Sequence, residues 1–172
     1  MSIRIKYTIA FMIFTYFVNA QDISFVLSDV QYQLHAEWIS KKILMVHYKI
    51  TNHNKKIVWI PDANGLWSVA NHVQISLGCY AIAATGLSME VGVIPLIRLD
   101  PGSSMSFDHR DYMDSDDSIA ETFISADFLV DDNKLSKKHC QTIDIPRSEY
   151  FDRWIYFTIK DFNLMPWIEK SK

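Results

Sequence analysis

Residues 44–51, LMVHYKIT, constrain the fold more than any other stretch. Leu44, Val46, Tyr48 and Ile50 alternate with Met45, His47, Lys49 and Thr51. Side chains along an extended chain point to opposite faces in turn, so this pattern describes a strand with one face in a core and one in water. The same period recurs at Ile23, Phe25 and Leu27, at His72 to Leu77, and around Ile94 to Leu99. Ser104 to Phe107, Ile124 to Val130 and Trp154 to Ile159 read as further strands. Asp100-Pro101-Gly102-Ser103 places Pro and Gly at the two central positions of a type II turn. Helix signals are scarce, and the best is one turn at Ser148 to Asp152 with Ser148 as its cap. The expected fold is all-β, an antiparallel sandwich of about seven to nine strands.

Ile57-Val58-Trp59-Ile60 breaks the alternation, because four apolar residues in a row cannot share one face of a strand. One face of this run is expected to enter the core between the sheets, with Trp59 as a buried inter-sheet tryptophan. The competing reading holds Trp59 out as a binding platform. Trp67 follows the turn-like Asp62-Ala63-Asn64-Gly65 and is the better candidate for a loop aromatic.

The run VHYKITNHNKKIVWIP, followed later by IRLDPGSSMSF, resembles bacterial immunoglobulin-like β-sandwich domains. In both, an alternating strand ends in an asparagine, a polar turn follows, and the next strand is apolar. The likeness covers residues 44–60 and 97–107 and implies an immunoglobulin-like sandwich, without a function attached.

The N-terminus has its own pattern. Arg4 and Lys6 precede an uncharged stretch from Tyr7 to Val18, and Val18-Asn19-Ala20 offers a cleavage site. Residues 1–20 read as a secretory signal peptide and 21–172 as a single domain, periplasmic or secreted, with no membrane span after cleavage. Removing Arg4 and Lys6 from the 17 basic residues leaves 15 against 20 acidic, a net charge of −5. Such a balance with no basic stripe argues against nucleic acid as a partner. Two cysteines in an oxidising compartment predict one disulfide, Cys79–Cys140, worth roughly 4 kcal/mol on the chain-entropy account.

Motifs for chemistry are thin. Gly86-Leu87-Ser88-Met89-Glu90 ends in glutamate where a nucleophile elbow needs glycine. None of the six histidines is paired as H-x-H or H-E-x-x-H, and His47 and His53 read as surface residues. No catalytic residue and no metal or cofactor site is assigned from these patterns. The segment from Phe107 to Glu121 carries Asp108, Asp111, Asp114, Asp116 and Asp117, and reads as one acidic loop. Hard oxygen ligands at this density are the one pointer to Ca²⁺, though the spacing departs from an EF-hand. The plainer reading is a solvated acidic loop whose charges repel and keep it mobile, and the alternatives to it are that ion or the docking of a basic protein surface on Asp111, Asp114, Asp116 and Asp117. The leading functional expectation is an exported, non-enzymatic protein that acts by protein–protein contact, in an accessory, inhibitory or immunity-like role. One alternative is a glycan-binding module that stacks sugars on exposed tryptophans, with Trp59, Trp67 or Trp38 as the platforms. Another is a hydrolase whose catalytic residues are scattered along the chain.

Overall fold

The computed structural model describes residues 13–17, 20–62, 65–69, 72–78, 92–112, 121–131, 135 and 140–159. Two sheets dominate it. The first runs in the order β1 (Ile13–Phe17), β2 (Ala20–Leu27), β3 (Val30–Ser40), β4 (Ile43–Asn52) and β9 (Ser104–Tyr112), with every neighbour antiparallel. The second follows the order β11 (Thr142–Pro146), β8 (Val93–Leu99), β5 (Val58–Pro61), β10 (Glu121–Val130), β7 (His72–Leu77) and β6 (Gly65–Val69). Strand β12 (Ile155–Ile159) also pairs with β10. The second sheet is mixed, because β7 and β10 run parallel. There are more strands than the seven to nine expected, since short segments such as Val58–Pro61 and Gly65–Val69 pair separately.

The alternating pattern does what it predicts. Ile23, Phe25 and Leu27, then Tyr32 and Leu34, then Leu44, Val46, Tyr48 and Ile50 all point inward. They meet Val58, Ile60, Ile75, Leu77, Leu99, Ile124, Ala126 and Phe128 from the second sheet in one cluster. Burial of these side chains, at roughly 1.5–3 kcal/mol for each large one, is the main force that closes the sandwich.

Trp59 is fully buried, but not between the sheets. Val58 and Ile60 face the inter-sheet core, while Trp59 points through the far side of its sheet into a second cluster. There it joins Leu96, Leu129, Ile143, Ile145 and Tyr150. The lid over that cluster includes α1 (Arg147–Arg153), which contributes the buried Tyr150. The IVWI run is therefore apolar on both faces because both faces of its strand are covered. Ser148 does not cap α1 as expected: Pro146 occupies the cap position, no side chain bonds there, and Ser148 lies in the first turn.

One end of the sandwich is tied by Asn52, the asparagine that ends β4. Its buried amide donates to the carbonyls of Lys56 and Leu99, each at 2.9 Å, and its carbonyl oxygen accepts from the Asn54 N–H at 2.9 Å. The backbone groups of Asn52 also bond Ser103 and Gly102. In the expected turn, the Ser103 N–H donates to the Asp100 carbonyl at 3.0 Å, and Gly102 takes φ +75°, a value that favours glycine. The Asn52 side chain thus ties the turn that follows β4 to the end of β8, and its backbone ties both to the turn at 100–103.

Strand β1 lies within the twenty residues expected to be removed on export. It is the outer strand of its sheet, so its loss would leave the other pairings intact and make β2 the edge. No helix among the described residues is long and apolar enough to cross a membrane.

Candidate functional site

The outer face of the five-stranded sheet carries a straight row of ionisable side chains. Register explains how it forms: Asp22 on β2 is opposite His35 on β3, His35 is opposite His47 on β4, and His47 is opposite Asp108 on β9. Each residue belongs to the half of the alternation that faces away from the core. Glu37, two residues along β3 from His35, stands on the same face.

The bonds within the row are specific. His35 Nδ1 lies 2.6 Å from Asp22 Oδ1, and His47 Nδ1 lies 2.6 Å from Asp108 Oδ1. A carboxylate accepts, so in each pair the imidazole must donate from Nδ1. The other ring nitrogens both turn to Glu37: His35 Nε2 is 3.9 Å from Oε2, and His47 Nε2 is 3.5 Å from Oε1. The two ring centroids are 6.2 Å apart. The result is a chain of five groups, carboxylate–imidazole–carboxylate–imidazole–carboxylate, across four side-by-side positions of the sheet.

The hydrogen bond that the His47 imidazole donates to Asp108 holds it above its ordinary pKa, against the opposing effect of burial and with Glu37 adding to the rise. Behind this face, His109 points inward and behaves oppositely: burial pushes its pKa down. Its Nε2 shares a 3.1 Å hydrogen bond with the Tyr48 hydroxyl, and the Tyr48 ring stacks on it with centroids 5.6 Å apart. Burial raises the Tyr48 phenol well above its usual range, so it stays protonated.

Asp22, His35, His47 and Asp108 line an open trough of about 600 Å³, together with the polar Ser24, Gln31, Gln33, Lys49 and Ser106 and with Ile23, Leu34, Tyr48 and Phe107. This lining offers donors and acceptors in several directions around a negatively biased centre. Among the described residues, no group of three or more His, Cys, Asp or Glu is arranged so that it could hold a metal ion.

The residues singled out in the sequence lie elsewhere or outside the described residues. Trp59 is wholly enclosed and presents no face to a ligand. Trp38 is also buried. Trp67 falls on β6, a strand rather than a loop, and its side chain is outside what the structure describes. Asp108 and Asp111 belong to β9, which continues to Tyr112, so the acidic segment is not one loop. The side chain of Asp111, and Asp114, Asp116 and Asp117 entirely, lie outside the described residues. Cys140 is exposed with a free thiol, and its expected partner Cys79 is outside the described residues.

Asp22, His35, Glu37 and His47 were not picked out by motif. The signal that could have found them is H-x-E on an alternating strand, with a second His across the following hairpin. No known protein family, curated protein or solved structure matches the chain.

Proposed function

We propose that this is an exported, non-enzymatic β-sandwich that works by protein–protein contact, and that the contact is made by the outer face of the five-stranded sheet. The observation that carries this reading is the row from Asp22 to Asp108 lying in an open trough of hydrogen-bonding side chains. An open sheet face reads a surface or an extended chain, whereas catalysis on a small substrate favours an enclosed site that sheds water. The burial of Trp38 and Trp59 removes two of the stacking platforms that glycan binding would use, which favours a protein ligand over a sugar. The role would be accessory, inhibitory or immunity-like, in the periplasm or outside the cell. Export itself predicts an N-terminus at or near Gln21 in the secreted form, and an intact Met1 there would contradict it.

The test is a capture experiment on the native envelope fraction, with the domain from Gln21 as bait. A partner held by the parent should be lost when Gln33→Arg and Lys49→Glu are combined on the outer face. The same partner should be kept when Asp144→Lys and Asp152→Lys are placed on exposed positions of β11 and α1. Loss with the second pair and retention with the first would overturn the assignment of the face.

A further inference from the structure

We infer that β2, once residues 1–20 are removed on export, takes an extended segment of the partner protein as a new antiparallel edge strand in the place of β1. This acceptor role rests on the reading of those residues as a cleaved leader, and it adds a backbone contact to the side-chain contact proposed above.

Strand β1 pairs with β2 antiparallel over five residues, from Ile13 opposite Ser24 to Phe17 opposite Ala20. The β2 edge therefore accepts a strand in a defined register. Cleavage before Gln21 takes that strand away and leaves the main-chain N–H and C=O groups on that side of β2 open to pairing.

Charged residues, prolines and short length are how natural sheets keep their edges from pairing with another chain. Strand β2 is eight residues long, has no proline and holds one charge, Asp22. Its carboxylate is drawn toward the neighbouring β3 by the 2.6 Å hydrogen bond with His35, so it does not guard the open side. At the far edge of the same sheet, β9 carries Asp108, Arg110 and Asp111. In the second sheet the edge strand β11 is five residues long and holds Asp144 and Pro146. Both are guarded in ways that β2 is not.

Register states what the partner must bring. Gln21, Ile23 and Phe25 are buried, while Asp22 and Ser24 belong to the outer half of the alternation. Residues directly opposite each other on paired strands share a face. A partner segment therefore needs large apolar residues opposite Gln21 and Ile23, and can carry a polar one between them. In β1 those positions are Tyr16 and Phe14, with Thr15 between. The occupant that fits is an uncharged, extended segment with apolar residues at alternate positions, held by main-chain hydrogen bonds along its length. It lengthens the outer face by one strand beside Asp22.

A peptide carrying IFTYF, residues 13–17, with lysines at its ends for solubility, is the probe. Calorimetry should show saturable binding of one peptide to the chain that begins at Gln21. The full chain with its leader uncleaved should not take it. There β1, joined to β2 through residues 18–19 alone, competes at an effective concentration on the order of mM. Main-chain groups along a strand face each neighbour alternately, so N-methylation at peptide residues 14 and 16 must differ in effect from N-methylation at 13, 15 and 17. One of the two peptides should bind at least about tenfold more weakly, and the other as the parent does. A photoreactive group at residue 15 of the peptide should cross-link to β2 around Asp22. Because the chain is made to begin at Gln21, these results stand apart from whether cells cleave there, which sequencing of the exported form decides. No saturable binding, equal effects of the two N-methylations, equal binding to the uncleaved chain, or cross-links to β9 or β11 would each overturn the proposal. A dimer of the chain from Gln21 that excludes the peptide would give the edge to a second copy and overturn it as well.

Discussion

His35 and His47 stand directly opposite each other on β3 and β4, and both turn Nε2 to the single carboxylate of Glu37. Their Nδ1 atoms are each held by an aspartate from the next strand outward. Strand register brings these side chains side by side, and the two aspartate hydrogen bonds fix the rings. Asp22, His35 and His47 align because the turns at 28–29 and 41–42 set the pairing of three consecutive strands. Asp108 joins from β9, far along the chain.

His47 on the outer face and His109 behind it are predicted to titrate in opposite directions from the ordinary histidine value. The Asp108 hydrogen bond raises His47, so its stabilising contribution is complete below the unfolded value near 6.5 and fades as pH climbs through the folded pKa. Burial lowers His109, so the fold is favoured above that same unfolded value and weakened as pH falls toward the folded pKa. NMR titration of the ring protons should show His47 losing its proton at higher pH than His109. Asp108→Asn should move His47 downward. Coincident titration of the two rings in the parent would contradict the geometry.

Trp59→Ala should be among the costliest single changes in the chain. The side chain is completely buried against Leu129 and Tyr150, and its removal leaves a cavity worth roughly 3–5 kcal/mol. For a domain of this size that corresponds to a fall in Tm of roughly 6–20 °C. Trp59→Phe should cost much less, because the buried indole Nε1 has no hydrogen-bond partner among the described residues. Thermal melts of both variants decide it, and an Ala variant within a degree or two of the parent would show that the second cluster contributes little.

Asn52→Ala should destabilise by an amount out of proportion to its small change in volume. The substitution leaves the carbonyls of Lys56 and Leu99 and the N–H of Asn54 without their partner at a buried position. A loss on the order of 3 kcal/mol is expected from groups left unpaired in this way. Urea denaturation measures it. Asn52→Asp should also destabilise, since a carboxylate cannot donate to the two carbonyls.

The cysteines give a chemical prediction tied to export. Cys140 is exposed, which makes it accessible for pairing in an oxidising compartment. Mass spectrometry of the exported protein without reduction should find Cys79 and Cys140 in one cross-linked peptide pair. Alkylation of both thiols in that material would rule the bridge out.

Much of the fold was legible because the residues that build it report their own environment. Leu44 to Ile50 declare one apolar face, and Pro101-Gly102 declare their turn by the φ that Gly102 adopts. The strand Val58 to Pro61 was recognisable as apolar on both faces, but not which layer covered Trp59. That cover involves α1, nearly ninety residues later, whose short length and proline cap leave little periodic signal. The parallel pairing of β7 with β10 was illegible for the same reason, since pairing between distant strands leaves no local mark. The row on the outer face was half legible. His47 could be placed facing outward from its own strand, yet Asp22, His35 and Asp108 become its neighbours only once three strand pairings are known.

Site-specific photo-crosslinking in the native envelope tests the central claim, that the outer face of the five-stranded sheet is where the protein meets its partner. A photoreactive residue in place of Gln33 or Lys49 should give one discrete cross-linked species, and the same residue in place of Asp144 or Asp152 should not. Cross-links confined to Asp144 and Asp152 would contradict the account and move the contact to the opposite side of the molecule.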